Sequence, residues 1–222
     1  MAIATKLKSF LEELKGSGCR LVAVSKTKPA SDILELYNTG FKTFGENRVQ
    51  ELSEKYQALP KDIEWHMIGH LQTNKVKIIA PFISMIHGVD SVKLAKEIDR
   101  QAEKNDRIIP CLLQVHIAQE HSKFGFDGHE LYQAIQSGAF DNFRNLKISG
   151  LMGMATYTQD QGQIRKEFRK LKVLFDEINQ LPLTSNFSFN EISMGMSSDY
   201  DLAIEEGSTI IRVGSRIFGA RN

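Results

Sequence analysis

The sequence predicts an α/β fold, a single (β/α)8 TIM barrel with an extra N-terminal helix. Short apolar runs alternate strictly with helical patterns, which implies a parallel sheet. The alternation counts out to eight strands, each followed by a helix or, at the end, a helical turn. The competing architecture is an open doubly wound sheet. No G-x-G-x-x-G follows the first strand, which counts against its dinucleotide-binding form. No repeat, low-complexity stretch or linker interrupts the pattern, so residues 1–222 read as one domain.

In chain order, Ile3, Leu7, Phe10, Leu11 and Leu14 fall at helical spacing, and Gly16 to Gly18 end that first helix. Leu21 to Val24 is an apolar run typical of a strand buried on both faces. Pro29 disfavours helix at Lys28, and a helix from Ala30 or Ser31 stops at Gly40. Phe41 to Phe44 predicts the second strand, and Arg48 to Leu59 the helix closed by Pro60. Ile63 to Ile68 is the third strand, followed by a loop and a short helix before Pro81. Phe82 to Ile86 predicts the fourth strand, with Asp90 or Ser91 capping a helix that runs to about Asn105. Ile108 to Ile117 is a long apolar strand, and a polar loop from Ala118 to Gly128 leads to a helix over Glu130 to Ser137. Leu146 to Leu151 is the sixth strand. Phe168, Leu171, Leu174, Phe175 and Ile178 mark a long helix, preceded by a flexible loop expected at Tyr157 to Gly162. Phe187 to Ile192 and Thr209 to Val213 are the last strands, with a helix through Ile204 between them.

Composition narrows the function classes. Lys+Arg 28 against Asp+Glu 27 leaves a net charge of +1, which argues for neither nucleic acid nor an anionic membrane as partner. No apolar run approaches the length of a membrane span, and the amphipathic start lacks a signal-peptide core, so the expected location is the cytoplasm. Cys19 and Cys111 lie in apolar runs and read as buried free thiols, and no Cys/His cluster has metal-ligand spacing.

In a barrel the carboxyl ends of all strands meet on one rim, where ligands bind. Lys26 sits at the end of the first strand. It is either a solvated cation or an amine that apolar walls make easier to deprotonate and able to attack an aldehyde. Phosphate sites in such barrels use the loops after strands seven and eight. Here these are Ser193-Met-Gly-Met-Ser-Ser198 and Val213-Gly-Ser215, which combine glycine with hydroxyl donors. They are either anion cradles or simply tight turns. Arg212 interrupts an apolar strand. It points outward to a carboxylate or inward to a ligand, since an inward charge needs a partner. Asn47 is a ligand contact or a helix cap, His66 a ligand contact or a packed strand histidine, and Lys123 a solvated loop lysine. A lysine amine, anion cradles and a buried cation suit an aldehyde bearing a phosphate. Pyridoxal 5′-phosphate is the commonest such cofactor, and a Schiff-base aldolase acting on sugar phosphates would use similar parts.

Six segments together resemble the pyridoxal phosphate homeostasis protein family: Ala23-Val-Ser-Lys-Thr-Lys-Pro29, Phe44-Gly-Glu-Asn-Arg-Val-Gln-Glu51, Trp65-His-Met-Ile-Gly-His-Leu-Gln-Thr-Asn-Lys75, Gly150-Leu-Met152, Ser193-Met-Gly-Met-Ser197 and Gly207 to Arg221. They span nearly the whole chain in order. The family's fold resembles the barrel domain of alanine racemase. The resemblance implies that Lys26 holds pyridoxal 5′-phosphate as a covalent aldimine, and that Ser197, Gly214 and Ser215, with the backbone of Gly195 and Met196, hold its phosphate. It implies that Arg212 lies near the pyridine nitrogen, with Asn47 and His66 near the cofactor. Ser215 departs from relatives that often carry Thr there, but keeps the hydroxyl.

The implied role is to bind, buffer and deliver pyridoxal phosphate to apo-enzymes as a monomer, with no catalytic residues. The alternative is a single-domain amino-acid racemase. Racemisation needs acid–base groups on both faces of the substrate. In alanine racemase a tyrosine from a further domain of the partner subunit serves one face. The sequence ends at Asn222, just after the phosphate turn, so that domain is not expected. An arginine facing the pyridine nitrogen also stays protonated and hands over no proton. Lys28, the neighbouring amine, is expected to point to solvent.

Overall fold

The computed structural model describes residues 2–119 and 124–219. The chain runs α1 (Ile3–Glu13), β1 (Arg20–Val24), α2 (Ala30–Tyr37), β2 (Thr43–Glu46), α3 (Val49–Ala58), β3 (Glu64–Met67), α4 (Val76–Ile79), β4 (Met85–Val89) and α5 (Val92–Glu103). It continues β5 (Ile109–Gln114), α6 (Gly128–Gln136), β6 (Leu146–Met152), α7 (Gln161–Ile178), β7 (Phe187–Ser193), α8 (Tyr200–Glu205), β8 (Ile210–Val213) and α9 (Ser215–Phe218). The strands are parallel and close in sequence order, with β8 pairing back onto β1 through Val22↔Arg212 and its neighbours. The expected eight-stranded barrel with a leading helix is therefore present.

Alternation along each strand sorts side chains into two layers. Val22, Met85, Leu112, Met152 and Ile210 form a small apolar cluster inside the barrel, with Ile68 against it. The larger core, including Phe44, Trp65, Met67 and Ile211, lies between sheet and helices. Gly45 faces the interior layer. A Cβ there would lie 2.8 Å from Val22 Cγ1 and 3.1 Å from Ile68 Cδ1, so the crowded barrel axis has room only for glycine. On β4 and β8 the interior position two residues after Met85 and Ile210 is taken by His87 and Arg212, both buried. The barrel interior thus changes from apolar to polar toward the strand ends.

α1 is tied to the strand-end side of the molecule. Glu13 accepts a hydrogen bond from Tyr200 Oη and pairs with Arg216 at 3.1 Å. The Arg216 guanidinium also lies over the rings of Phe10 and Tyr200. The extra helix therefore braces α8 and α9, the two elements that follow the glycine–serine loops.

Several boundaries differ from the sequence-based expectation. The strand expected over Phe82 to Ile86 runs instead over Met85–Val89, because the Phe82 and Ile83 N–H groups both bond to Ile79 O at the end of α4. His87 accordingly lies within β4, inside the barrel. β2 extends to Glu46, beyond the predicted end at Phe44. β5 ends at Gln114, and Val115 joins Phe126 in an isolated bridge, so the long apolar run is only partly strand. Gln161 and Gly162, expected in a flexible loop, open α7, where Asp160 caps the helix by accepting from the Gln163 N–H. Lys123 lies outside the described residues. Ser91 caps α5 by accepting from the Leu94 N–H at 3.2 Å. Cys111 is buried and Cys19 half-buried, and both are free.

Candidate functional site

The alternation that turns Val22 and Val24 inward also brings Lys26 to the mouth of the barrel. There it lines a cavity of about 590 Å³ at the strand ends, together with Asn47, Ser197, Arg212, Gly214 and Ser215. Lys26 occupies the second position of a turn closed by the Lys28 N–H on Ser25 O at 3.0 Å. Thr27, the third position, has φ 64°, a left-handed conformation that a β-branched residue rarely adopts. This turn carries Lys28 back to the cavity, where it is half-buried and lines the wall, contrary to the expectation that it points to solvent.

Two loops shape the opposite wall. Gly195, at φ 92°, is buried behind it. A Cβ there would meet Ala203 Cβ at 2.5 Å, so glycine lets the loop fold onto α8. The Gly195 carbonyl accepts from the Arg212 N–H. The Met196 N–H, expected among the anion donors, instead donates to Asp199 Oδ1 at 2.5 Å. Ser197 Oγ accepts from the Gly214 N–H at 3.2 Å and so joins the two loops. A Cβ on Gly214 would sit 2.9 Å from the Val24 carbonyl, which explains glycine where the last loop crosses β1. Ser215 opens α9 and is exposed.

Arg212 is 3% exposed and points inward. Its Nη1 donates to Ser193 Oγ at 2.5 Å and its Nη2 to Gly153 O at 3.1 Å. No carboxylate forms an ion pair with it among the described residues, so an outward salt bridge is not its role. Burial lowers its pKa to about 10, against the opposing pull of Asp199, and it stays cationic at neutral pH.

Behind Arg212 stands a buried relay. Ser193 Oγ lies 2.9 Å from His87 Nδ1, and His87 Nε2 lies 2.9 Å from His66 Nδ1. Arginine only donates, so the Ser193 hydroxyl accepts from it and directs its own proton to His87 Nδ1. His87 then carries its proton on Nε2 and donates to His66; these tautomers are assigned from the network. Burial is the main cause that pushes the His66 pKa down to about 3 and that of His87 well below its usual value, where the His66 and Arg212 charges add to the effect. Both rings are neutral. His66 is the third group behind the cavity wall rather than part of it, because it faces the barrel axis one layer below the strand ends.

Other lining residues had little sequence signature. Gln114 is a polar residue at the end of an apolar strand, a placement that marks it as a rim group; Met154, Tyr157 and Phe124 sit on loops with no pattern to single them out. Gly69 permits the ends of β2 and β3 to converge, since a Cβ there would lie 2.6 Å from Asn47 O. A somewhat larger cavity of about 670 Å³ lies between α6 and α7, walled by Val115, Ile117 and Leu174. It gathers neither paired lysines nor glycine–serine loops, so the chemistry belongs to the strand-end cavity despite its smaller volume.

The family model "Alanine racemase, N-terminal domain" matches residues 1–222. The chain is 41% identical to the Pyridoxal phosphate homeostasis protein of Aquifex aeolicus (strain VF5) over 209 residues, covering 93% of this chain and 90% of that protein. Among solved structures it is similar to PipY of Synechococcus elongatus PCC7942. The form without PLP superposes with TM-score 0.89 at 37% identity, covering 98% of this chain and 100% of that one. The form with PLP bound gives TM-score 0.86 at 36% identity over the same shares.

Proposed function

This chain belongs to the pyridoxal phosphate homeostasis protein family, and on that premise we propose that it binds pyridoxal 5′-phosphate and serves intracellular vitamin B6 balance. The observation that carries the proposal is one cavity with a lysine, a buried arginine and two joined glycine–serine loops on its walls. The residues fit the group. Gly214 lets the last loop lie close against β1, where a Cβ would sit 2.9 Å from the Val24 carbonyl, Arg212 presents a buried cation, and Ser197 and Ser215 contribute hydroxyls. When bound, pyridoxal phosphate supplies an aldehyde carbon open to an amine and an electron-withdrawing ring.

Lys26 Nζ would be the amine that holds that aldehyde carbon. Ser197, Ser215 and Gly214 hold the phosphate. Gly195 shapes the loop, and Met196 contributes through its position on the cavity wall, its N–H being held by Asp199. Arg212 faces the pyridine nitrogen as a fixed cation and donates to it no transferable proton. A cation held there would leave the ring a weak electron sink, a poor arrangement for carbanion chemistry. Asn47 orients the ring from the end of β2, and His66 supports Arg212 through His87 and Ser193. The described residues act as one cofactor-binding domain. We assign the chain a cytoplasmic, monomeric, non-catalytic role: it holds pyridoxal phosphate and passes it to apo-enzymes.

The racemase alternative is disfavoured by the fixed cation at the ring nitrogen and by the curated relatives, which are named for homeostasis. The test mixes loaded protein with a pyridoxal-phosphate-dependent apo-enzyme and, separately, with single enantiomers of alanine and serine. The expected outcome is recovery of the apo-enzyme's activity and unchanged chirality. Interconversion at about 1 per second or faster, a typical enzymatic rate, contradicts the non-catalytic role.

A further inference from the structure

The turn that presents Lys26 is gripped from outside the barrel by a buried ion cluster. Ser25, turned outward, donates its hydroxyl to Glu46 Oε1 at 2.6 Å. Lys55, from α3, donates to the Ser25 carbonyl at 2.8 Å, to Glu46 Oε1 at 2.7 Å and to Glu51 Oε1 at 2.6 Å. Glu51 Oε1 also accepts the Thr27 N–H at 2.6 Å. The residues on both sides of Lys26 are thus pinned to three charged side chains that do not line the cavity.

Glu46 is 0% exposed and its Oε2 has no hydrogen-bond partner among the described residues. Burial raises the pKa of its carboxyl, and Lys55 draws it back down. Burying such a group is costly, and the nearby Thr27 is held at a strained φ of 64°. Strain and buried charge converge on one turn, and that turn carries two lysines to the same cavity.

We propose, resting on the cofactor assignment above, that Lys55 with Glu46 and Glu51 is a positioning cluster that makes Lys26, not Lys28, the point of attachment. In attachment the amine nitrogen bonds to the aldehyde carbon, and the aldehyde oxygen leaves as water with both amine protons. Both amines are capable of this. The choice depends on which one the backbone holds in reach of the carbon. With the Ser25 carbonyl and Thr27 N–H released, Thr27 relaxes toward negative φ. The peptide between the two lysines then rotates, and Lys28 gains access at the expense of Lys26.

The full-length protein is saturated with pyridoxal phosphate and reduced with borohydride, and the label is divided between Lys26 and Lys28 by peptide fragmentation. The parent carries its label at Lys26. Lys55→Met and Glu51→Ala each move the Lys28:Lys26 ratio up by about tenfold, the equivalent of one charged hydrogen bond. Glu51→Gln, which keeps an oxygen to accept the Thr27 N–H, stays at the parent ratio. Glu51 is half-buried, so its variants carry the comparison even if Lys55→Met does not fold. A loss of total label or of melting temperature with an unmoved ratio in the folded variants overturns the positioning role. A parent that takes no label at either lysine contradicts the cofactor assignment instead, so the two failures are distinct.

Discussion

Arg212 and the two histidines behind it make the residue scale sensitive to pH. His66 and His87 are neutral in the folded chain, whereas unfolded histidines titrate near 6.5. Below that pH the unfolded state binds more protons, so these groups contribute stability that is present above about pH 6.5 and lost as pH falls, for His66 toward about 3. The slope is up to about 1.4 kcal/mol per pH unit for each histidine. Urea unfolding at pH 7 and pH 5 should show this loss in the parent and a smaller loss in His66→Gln; equal losses would mean that the relay does not titrate as a buried neutral pair. At the proposed phosphate end, a hydroxyl lost from a charged acceptor costs about 1.5–3 kcal/mol. Ser197→Ala with Ser215→Ala should therefore weaken pyridoxal phosphate more than unphosphorylated pyridoxal in parallel titrations. Equal weakening would move the phosphate elsewhere.

At the scale of elements, the site depends on how closely strand ends approach. Gly69→Ala places a Cβ 2.6 Å from Asn47 O and 2.9 Å from Asn47 Cα, backbone atoms with little freedom to yield. Overpacking of this kind costs about 1–3 kcal/mol and should separate the ends of β2 and β3. Thermal unfolding together with a pyridoxal phosphate titration checks both effects, and an unchanged melting temperature would show that the strand ends can part freely. Most elements were legible because parallel strands buried on both faces read as apolar runs, and the helices between them keep their periodicity. β4 was not, because Phe82 and Ile83 look like strand while their N–H groups close the end of α4. At the site, Lys26, Ser197 and Gly214 stood out because each lies just past a strand, and Arg212 because it is a charge inside an apolar one. Lys55 was not. On α3 it reads as an exposed partner of Glu51 four residues before it, and only the fold brings the Ser25 carbonyl, from 30 residues away, to its amine. The Met196 N–H, which the resemblance put among the phosphate donors, donates instead to the Asp199 side chain, a contact that the sequence does not show.

At the scale of the whole molecule, the barrel brings eight strand ends to one mouth, and α1 braces the two loops there through Glu13, Tyr200 and Arg216. The barrel's closure brings Lys26, just past β1, and Arg212, on the adjacent β8, to the wall of one cavity. The central claim is that this cavity takes pyridoxal phosphate, bound through Lys26. The direct measurement is the intact mass and visible spectrum of the protein loaded with pyridoxal phosphate, before and after borohydride, in the parent and in Lys26→Ala. The parent should show a visible band that reduction abolishes, with one cofactor retained covalently and mapped to Lys26, and Lys26→Ala should retain none. A parent that stays colourless and unlabelled, or a Lys26→Ala protein labelled to the same extent, would contradict it.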